Sequence, residues 1–368
     1  MVTRWGVTCG MDNYARELAE AVRDDIEFVV FADAEQGVVD GVGFAVCRDW
    51  DVTSHDISAI TRDIRSAQID LLHIQFNWGG MPLAFLLGLV RFALAERLPC
   101  VVQLHATYDH PSAGSLGTIA TDLGSIAGVI VHGQADIERM ASWGLTDNVW
   151  LWRLGECAWP QRERSEVRES LGLNDRRPIL ATFGFLQERK GLLELLAAIG
   201  ELKESYPSVQ MIACAALHPR WLPRDYYLAC RMEVARASIG NNVDLLTSYL
   251  PQDVAMLLLQ SADAIVLPYV GTQEGSSAAA KFCAWAGRPL VLSHEPLFDA
   301  FDGAALRLET IAPGSIAEAV HRLVDDPELV RTLSEAALRV ASLSSWEVVG
   351  PQYVEYVARP TGGRARCP

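Results

Sequence analysis

The sequence predicts two doubly wound α/β domains in tandem, and three observations carry the prediction. Short apolar runs alternate with helical stretches along nearly the whole chain, and several runs are apolar at every position, which marks parallel strands covered on both faces. The alternation breaks at 157–176, a polar stretch rich in Arg and Glu (Gln161-Arg-Glu-Arg-Ser-Glu-Val-Arg-Glu), and then restarts. Gln75, His105 and His132 fall just after predicted strand ends, where the ligand crevice of such sheets lies. A length of 368 residues also favours two cores over one.

Taken in order, Val2 to Trp5 is the only room for a leading strand. Gly6 and Gly10 make a flexible turn, and Tyr14, Leu18, Ala21 and Val22 then recur at helical spacing. Ile26 to Phe31 and Gly43 to Cys47 read as strands, and 56–68 as an amphipathic helix. Ile69 to Gln75 is a strand, Pro82 opens a helix to about Arg97, and Pro99 to His105 is a buried strand. Gly128 to His132 is a strand, Ala135 to Trp143 a helix, and Val149 to Leu154 closes the first half.

The second half repeats the pattern. Ile179 to Phe183 is a strand, Gly184 to Gly191 a turn holding Arg189 and Lys190, and Leu192 to Tyr206 a helix. Strands at Val209 to Ala215 and Val243 to Leu246 alternate with helices at Asp225 to Ala237 and Asp253 to Gln260. Ala264 to Leu267 is an apolar strand that stops at Pro268, and Leu290 to Ser293 is another. Helices are expected at 314–324, 327–343 and Trp346 to Val357. The expected boundaries are a first domain at 1–158, a linker at 159–176, a second domain at 177–344, a returning helix at 345–358 and a disordered tail at 359–368.

Composition narrows the function. Half the residues are hydrophobic, and the net charge is −15, with no Lys in residues 1–155 and about twice as many acids as bases there. A field of that sign repels nucleic acid and anionic lipid surfaces, so neither is expected as a partner. The Cys residues, at 9, 47, 100, 157, 214, 230, 283 and 367, stand singly without metal-ligand spacing, which suits buried free thiols in a reducing compartment. Met1-Val-Thr-Arg-Trp lacks the apolar run of a secretion signal, and Arg91 interrupts the longest apolar stretch, Met81 to Ala95. A soluble cytoplasmic protein is the expectation. Gly-x-Gly-x-x-Gly, a Walker loop and paired-Cys metal spacing are all absent from the sequence.

The most informative stretch is 265–290. A strand ends at Pro268, a small polar turn (Thr272 to Ser277) carries Glu274, Ser276 or Ser277 can cap the next helix, and Gly287 can end it. Such a turn suits a phosphate and equally suits an ordinary capped βα connection. Arg189 and Lys190, between two glycines after a strand, can hold a diphosphate or simply be solvated. His105 can bond a substrate hydroxyl or be structural.

The order of these features resembles the retaining glycosyltransferases of the GT-B fold, family GT4, over nearly the whole chain. Trp5-Gly-Val-Thr-Cys-Gly-Met-Asp-Asn-Tyr is similar to the family's opening. Asp70-Leu-Leu-His-Ile-Gln, Val102-Gln-Leu-His, Phe183-Gly-Phe-Leu…Lys190-Gly, the 265–290 stretch and Trp346 match later landmarks. The resemblance implies two Rossmann-like domains facing across a cleft, with the last helix crossing back onto the first. It implies a nucleoside-diphosphate sugar as donor, a small-molecule or glycan hydroxyl as acceptor, and no metal or other cofactor. It places His105, Glu274 and Lys190 as catalytic residues. Gly10, Phe185, Arg189, Lys190, Tyr249, Leu250, Glu274, Gly275, Ser276 and Ser277 are placed at the donor. Gln75, Asn77 and Tyr108 are placed toward the acceptor, with Trp78 and Tyr108 available to stack on a ring.

Two positions depart from the family. Phe185 stands where an Arg is usual, with Arg189 available to compensate, and Phe282 stands where a second Glu holds the ribose. Lys281, beside it, either adds positive charge or lies on the solvent face of its helix. The departures leave a second reading open, a GT-B protein without turnover that serves as a binding or scaffolding partner. A sugar-coupling synthase with a phosphorylated acceptor is a third.

Overall fold

Runs that are apolar at every position become parallel strands with both faces covered. The computed structural model describes all residues except 8, 35–42, 54, 174–176, 219–222, 273 and 359–368; the expected disordered tail thus lies outside the described residues. The chain divides into two compact units. One comprises Met1–Glu156, Gln273–Ser276 and the segment from Ser345 onward, and the other Cys157–Thr272 and Ser277–Ser344.

The first unit is built from β1 (Val2–Thr3), α1 (Gly10–Ala21), β2 (Val29–Asp33), β3 (Ala45–Trp50), α2 (Ser58–Ala67), β4 (Leu72–Phe76), α3 (Leu83–Glu96), β5 (Cys100–Leu104), α4 (Ala120–Gly124), β6 (Gly128–Val131), α5 (Gln134–Ser142) and β7 (Val149–Leu151). Its strands form one parallel sheet in the order β3-β2-β1-β4-β5-β6-β7. The strand expected at Ile26 starts at Val29, because Ile26 N still bonds Val22 O at 2.9 Å in the turn that ends α1. The strand expected to end at Cys47 runs on to Trp50, whose indole donates to Phe31 O at 3.0 Å.

The second unit contains α6 (Arg164–Ser170), β8 (Ile179–Phe185), α7 (Leu192–Ser205), β9 (Gln210–Ala216), α8 (Arg224–Arg236), β10 (Val243–Leu246), α9 (Gln252–Ser261), β11 (Ala264–Leu267), α10 (Ala278–Ala284), β12 (Leu290–Leu292), β13 (Leu306–Arg307), α11 (Pro313–Asp325) and α12 (Pro327–Ser342). Its parallel sheet runs β10-β9-β8-β11-β12-β13. Strand alternation divides its core: Ile179, Ala181, Ile265 and Leu267 face one apolar layer, and Leu180, Ala264 and Val266 face the other. Each fully buried Leu or Ile contributes about 1.5–3 kcal/mol.

The last helix, α13 (Trp346–Ala358), belongs to the first unit. Trp346 Nε1 donates to Glu17 at 2.9 Å, Trp152 Nε1 donates to Val349 O at 3.1 Å, and the Trp152 and Tyr353 rings stack. A Cβ at Gly155 would run into the Trp346 ring, so the chain passes there only as glycine. Among the described residues the cysteines are thiols outside any disulfide. Among the described residues, no helix is long and apolar enough to cross a membrane.

Candidate active site

In the first unit the polar residues at the strand ends converge. His105 follows β5, and its backbone N–H bonds Phe76 O at 2.9 Å. Its ring stands edge-on to Tyr14, with centroids 5.0 Å apart, and 5.2 Å from the His132 ring. Its Nε2 is shut off from solvent and has no hydrogen-bond partner among the described residues. A buried orphan nitrogen of this kind calls for a partner that the described residues do not supply. Burial pushes the imidazole pKa down to about 4, so the ring is neutral at physiological pH and offers a hydrogen bond rather than a charge.

Beneath His105 lies a buried amide, Gln103, that joins four elements. Its Nε2 donates to the Tyr14 hydroxyl at 2.8 Å and to His132 Nε2 at 3.1 Å. Its Oε1 accepts from His73 Nε2 at 3.0 Å. The tautomers follow from the partners: His132 Nδ1 faces the Trp152 carbonyl at 2.7 Å and must carry the proton, whereas His73 Nδ1 accepts from the Tyr353 hydroxyl at 2.8 Å. Burial holds His73 down to about 3, so it is neutral as well, and pushes the Tyr14 phenol well above its usual range. Close by, Asp136 accepts from Thr107 at 2.5 Å and from Gly133 N at 3.0 Å, and burial raises its carboxyl. Cβ atoms at Gly133 and Gly275 would run into Gly275 O and the Asp136 carboxylate respectively, so the backbone at Gly275 packs closely on the start of α5.

In the second unit the residues beyond the strand ends form a rim. Lys190 Nζ lies 3.6 Å from the centroid of the buried Tyr269 ring. Gly191 has φ +67°, and a Cβ there would meet the Pro268 carbonyl, so this turn accepts only glycine. Arg189 Nε donates to Gln187 at 3.0 Å. Phe185 ends β8, His218 and Tyr249 follow β9 and β10, and the three form one aromatic patch, with Phe185 4.9 Å from His218 and 5.9 Å from Tyr249. Tyr249 is 42% exposed, while Leu250 packs on the core. Glu295 accepts from Gly271 N, Thr272 N and Thr272 Oγ1, which pins the turn after β11.

Several expected residues sit differently from the reading of the sequence. Gln75 is fully buried, with its amide bonded to Thr3 at 2.8 Å and facing Gln103, so it lies inside the sheet and not at an acceptor loop. Asn77 Oδ1 accepts from Gly79 N within its own loop, and Trp78 Nε1 donates to Tyr108 O, which ties that loop to the next. Gly10 opens α1 with nothing within 4 Å of a built Cβ. Of the two candidate caps for α10, Ser277 takes the role, accepting from Ala280 N at 3.1 Å, and Ser276 does not. Glu274, Gly275 and Ser276 are half-buried. Lys281 is only 3% exposed, which removes the solvent-face alternative. Phe282 is buried against Phe183 and Trp159, with centroids 4.7 and 5.8 Å away.

Sequence reading missed the Gln103, Tyr14, His73, Tyr353 and Asp136 contacts. Tyr14 and Tyr353 look like ordinary apolar-face residues of their helices, and only the polar residues inside β4 and β5 hint at a network.

The fold is the GT-B architecture, two parallel-sheet α/β domains of seven and six strands. The chain superposes on Anabaena HepE, solved in complex with UDP and glucose, with a TM-score of 0.77 and 16% identity, covering 97% of this chain and 98% of HepE. Sucrose-phosphate synthase from Thermosynechococcus elongatus gives 0.74 and 18%, covering 95% and 93% of the two chains. By sequence the chain is 24% identical over 189 residues to D-inositol 3-phosphate glycosyltransferase of Segniliparus rotundus, a match that spans 50% of this chain and 40% of that relative. No protein-family model matches.

Proposed function

We propose that this protein is a retaining glycosyltransferase of the GT4 type, moving a sugar from a nucleoside-diphosphate donor, UDP-linked by analogy with HepE, to a hydroxyl acceptor. The observation that carries the reading is the orphan Nε2 of His105, a neutral imidazole at the ligand edge of its sheet in a fold shared with UDP-sugar-binding proteins. In this reading His105 bonds the donor sugar near its reacting carbon, and Glu274 bonds sugar hydroxyls. Lys190, with Arg189 beside it, stabilises the charge that develops on the departing diphosphate, a task that needs no metal. The Phe185–His218–Tyr249 patch stacks the base, and the backbone of Gly275 to Ser277 serves phosphate or sugar. The loops at 76–81 and 106–117, with Asn77, Trp78 and Tyr108, select the acceptor. The placement of Phe185 and Phe282 in aromatic packing requires no loss of turnover, and no observation favours the non-catalytic alternative.

A panel of nucleotide sugars assayed for binding by thermal shift, and for transfer or donor hydrolysis by nucleotide release, tests the reading. His105→Ala and Lys190→Ala should each reduce turnover about 10²-fold or more. Full activity in both variants would sink the site assignment, and a chain that binds no donor would sink the function.

A further inference from the structure

A polar cavity lies in the second unit at the end of its sheet where the strands begin. It has a volume of about 470 Å³ and is lined by Gln161, Ser165 and Glu163 together with five arginines, Arg162, Arg164, Arg168, Arg177 and Arg288. That size falls within the roughly 300–1,000 Å³ of small-molecule pockets. Its place is set by the strands: Arg177 stands two residues before β8 and Arg288 two before β12, and Asp263 directly precedes β11. Lys190, Phe185 and Tyr249 all follow strand ends or close them, so the cavity is remote from that rim along the strand direction.

Part of the cluster is structural. Arg164 and Arg168 both reach Asp263 Oδ1 at 2.9 Å, and Arg168 Nε donates to Ser261 O at 2.7 Å, which holds α6 to the segment that enters β11. This one carboxylate serves two guanidiniums, and its other oxygen accepts from Ile179 N at 2.8 Å. Arg288 Nε donates to the Gln260 carbonyl at 2.8 Å. Among the described residues no carboxylate pairs with Arg288 or with the exposed Arg162, and Glu163 is the one acid in the lining. The cavity therefore concentrates positive charge on a chain whose net charge is −15. The crowding is felt: burial first, and then Arg164 and Arg168, draw the Arg288 guanidinium down to about 10.

Five planar, multiply donating cations around a small-molecule cavity match the oxygens of a phosphate group better than a single carboxylate, which two of them already share. We propose that this pocket is a binding site for a phosphorylated small molecule of at least diphosphate charge, separate from any donor site and positioned to act as an effector rather than a substrate.

Isothermal titration of the full chain with inorganic pyrophosphate tests this, run in the Lys190→Ala background so that the rim contributes less. Binding should persist there and weaken at least about tenfold when Arg162→Ala and Arg288→Gln are combined. Arg162→Ala alone, at an exposed residue without a bonded partner among the described residues, should give a several-fold loss with an unchanged melting temperature, which separates binding from folding. Affinity unchanged by these substitutions, binding abolished by Lys190→Ala alone, or no heat at millimolar pyrophosphate would overturn the proposal.

Discussion

The Tyr353 hydroxyl donates to Nδ1 of His73 at 2.8 Å, across 280 residues of sequence. The bond fixes the His73 tautomer, which lets Nε2 donate to Gln103, which in turn holds His132 and Tyr14 beside His105. The last helix thereby sets the orientation of groups under the candidate catalytic histidine.

Tyr353→Phe should leave a buried imidazole nitrogen unsatisfied and lower unfolding stability by about 1–3 kcal/mol. Denaturant unfolding of the full chain measures it. A change below a few tenths of a kcal/mol would mean the network does not bear on stability.

His105 and His73 predict a pH dependence with a definite sign. Both folded pKa values, about 4 and about 3, lie below the ordinary value of 6.5, so the unfolded chain binds more protons in between. Stability from these groups is complete above about pH 6.5 and falls as pH drops toward 4, with a slope approaching 1.4 kcal/mol per pH unit for each histidine. Asp136, raised by burial, acts in the opposite direction at the acid end. His105→Gln should reduce the slope by about one proton, and an unchanged slope between pH 6.5 and 4.5 would contradict the assignment.

Phe282→Glu restores the carboxylate that the GT4 resemblance leads one to expect, but in a site closed by Phe183 and Trp159. The substitution should destabilise the second unit by about 3 kcal/mol or more and should not raise donor affinity. Improved nucleotide binding in a stable variant would show that the pocket opens toward the ribose.

Gly191→Ala places a side chain at φ +67° and against the Pro268 carbonyl. A loss of about 2 kcal/mol or more is expected, and displacement of Lys190 from the Tyr269 face should weaken nucleotide binding with it. Melting temperature and UDP affinity, read together, test whether the turn and the lysine move as one.

Much of the candidate site was legible because strand ends are legible. Apolar runs end where polar residues begin, and that placed His105, Lys190 and Tyr249 beyond their strands. Gln75 obeyed the same pattern and still proved internal, since a polar residue inside a strand is indistinguishable in sequence from one just past it. Lys281 stayed open between two placements for a related reason: a seven-residue helix has too little periodicity to mark its buried face.

The sequence by itself determined two parallel α/β domains, because periodicity and turn chemistry are local and repeat along the chain. It also determined Ser277 as one of two possible caps and glycine at 191 as a turn residue. Only the tertiary structure decided which polar groups meet. Gln103 reaches Tyr14 across 89 residues, and Tyr353 reaches His73 across 280. The five arginines of the polar cavity come from positions 162 to 288. Hydrogen bonds and charge clusters of this range depend on how strands are ordered in a sheet and where helices dock, and neither is written in the neighbourhood of any one residue.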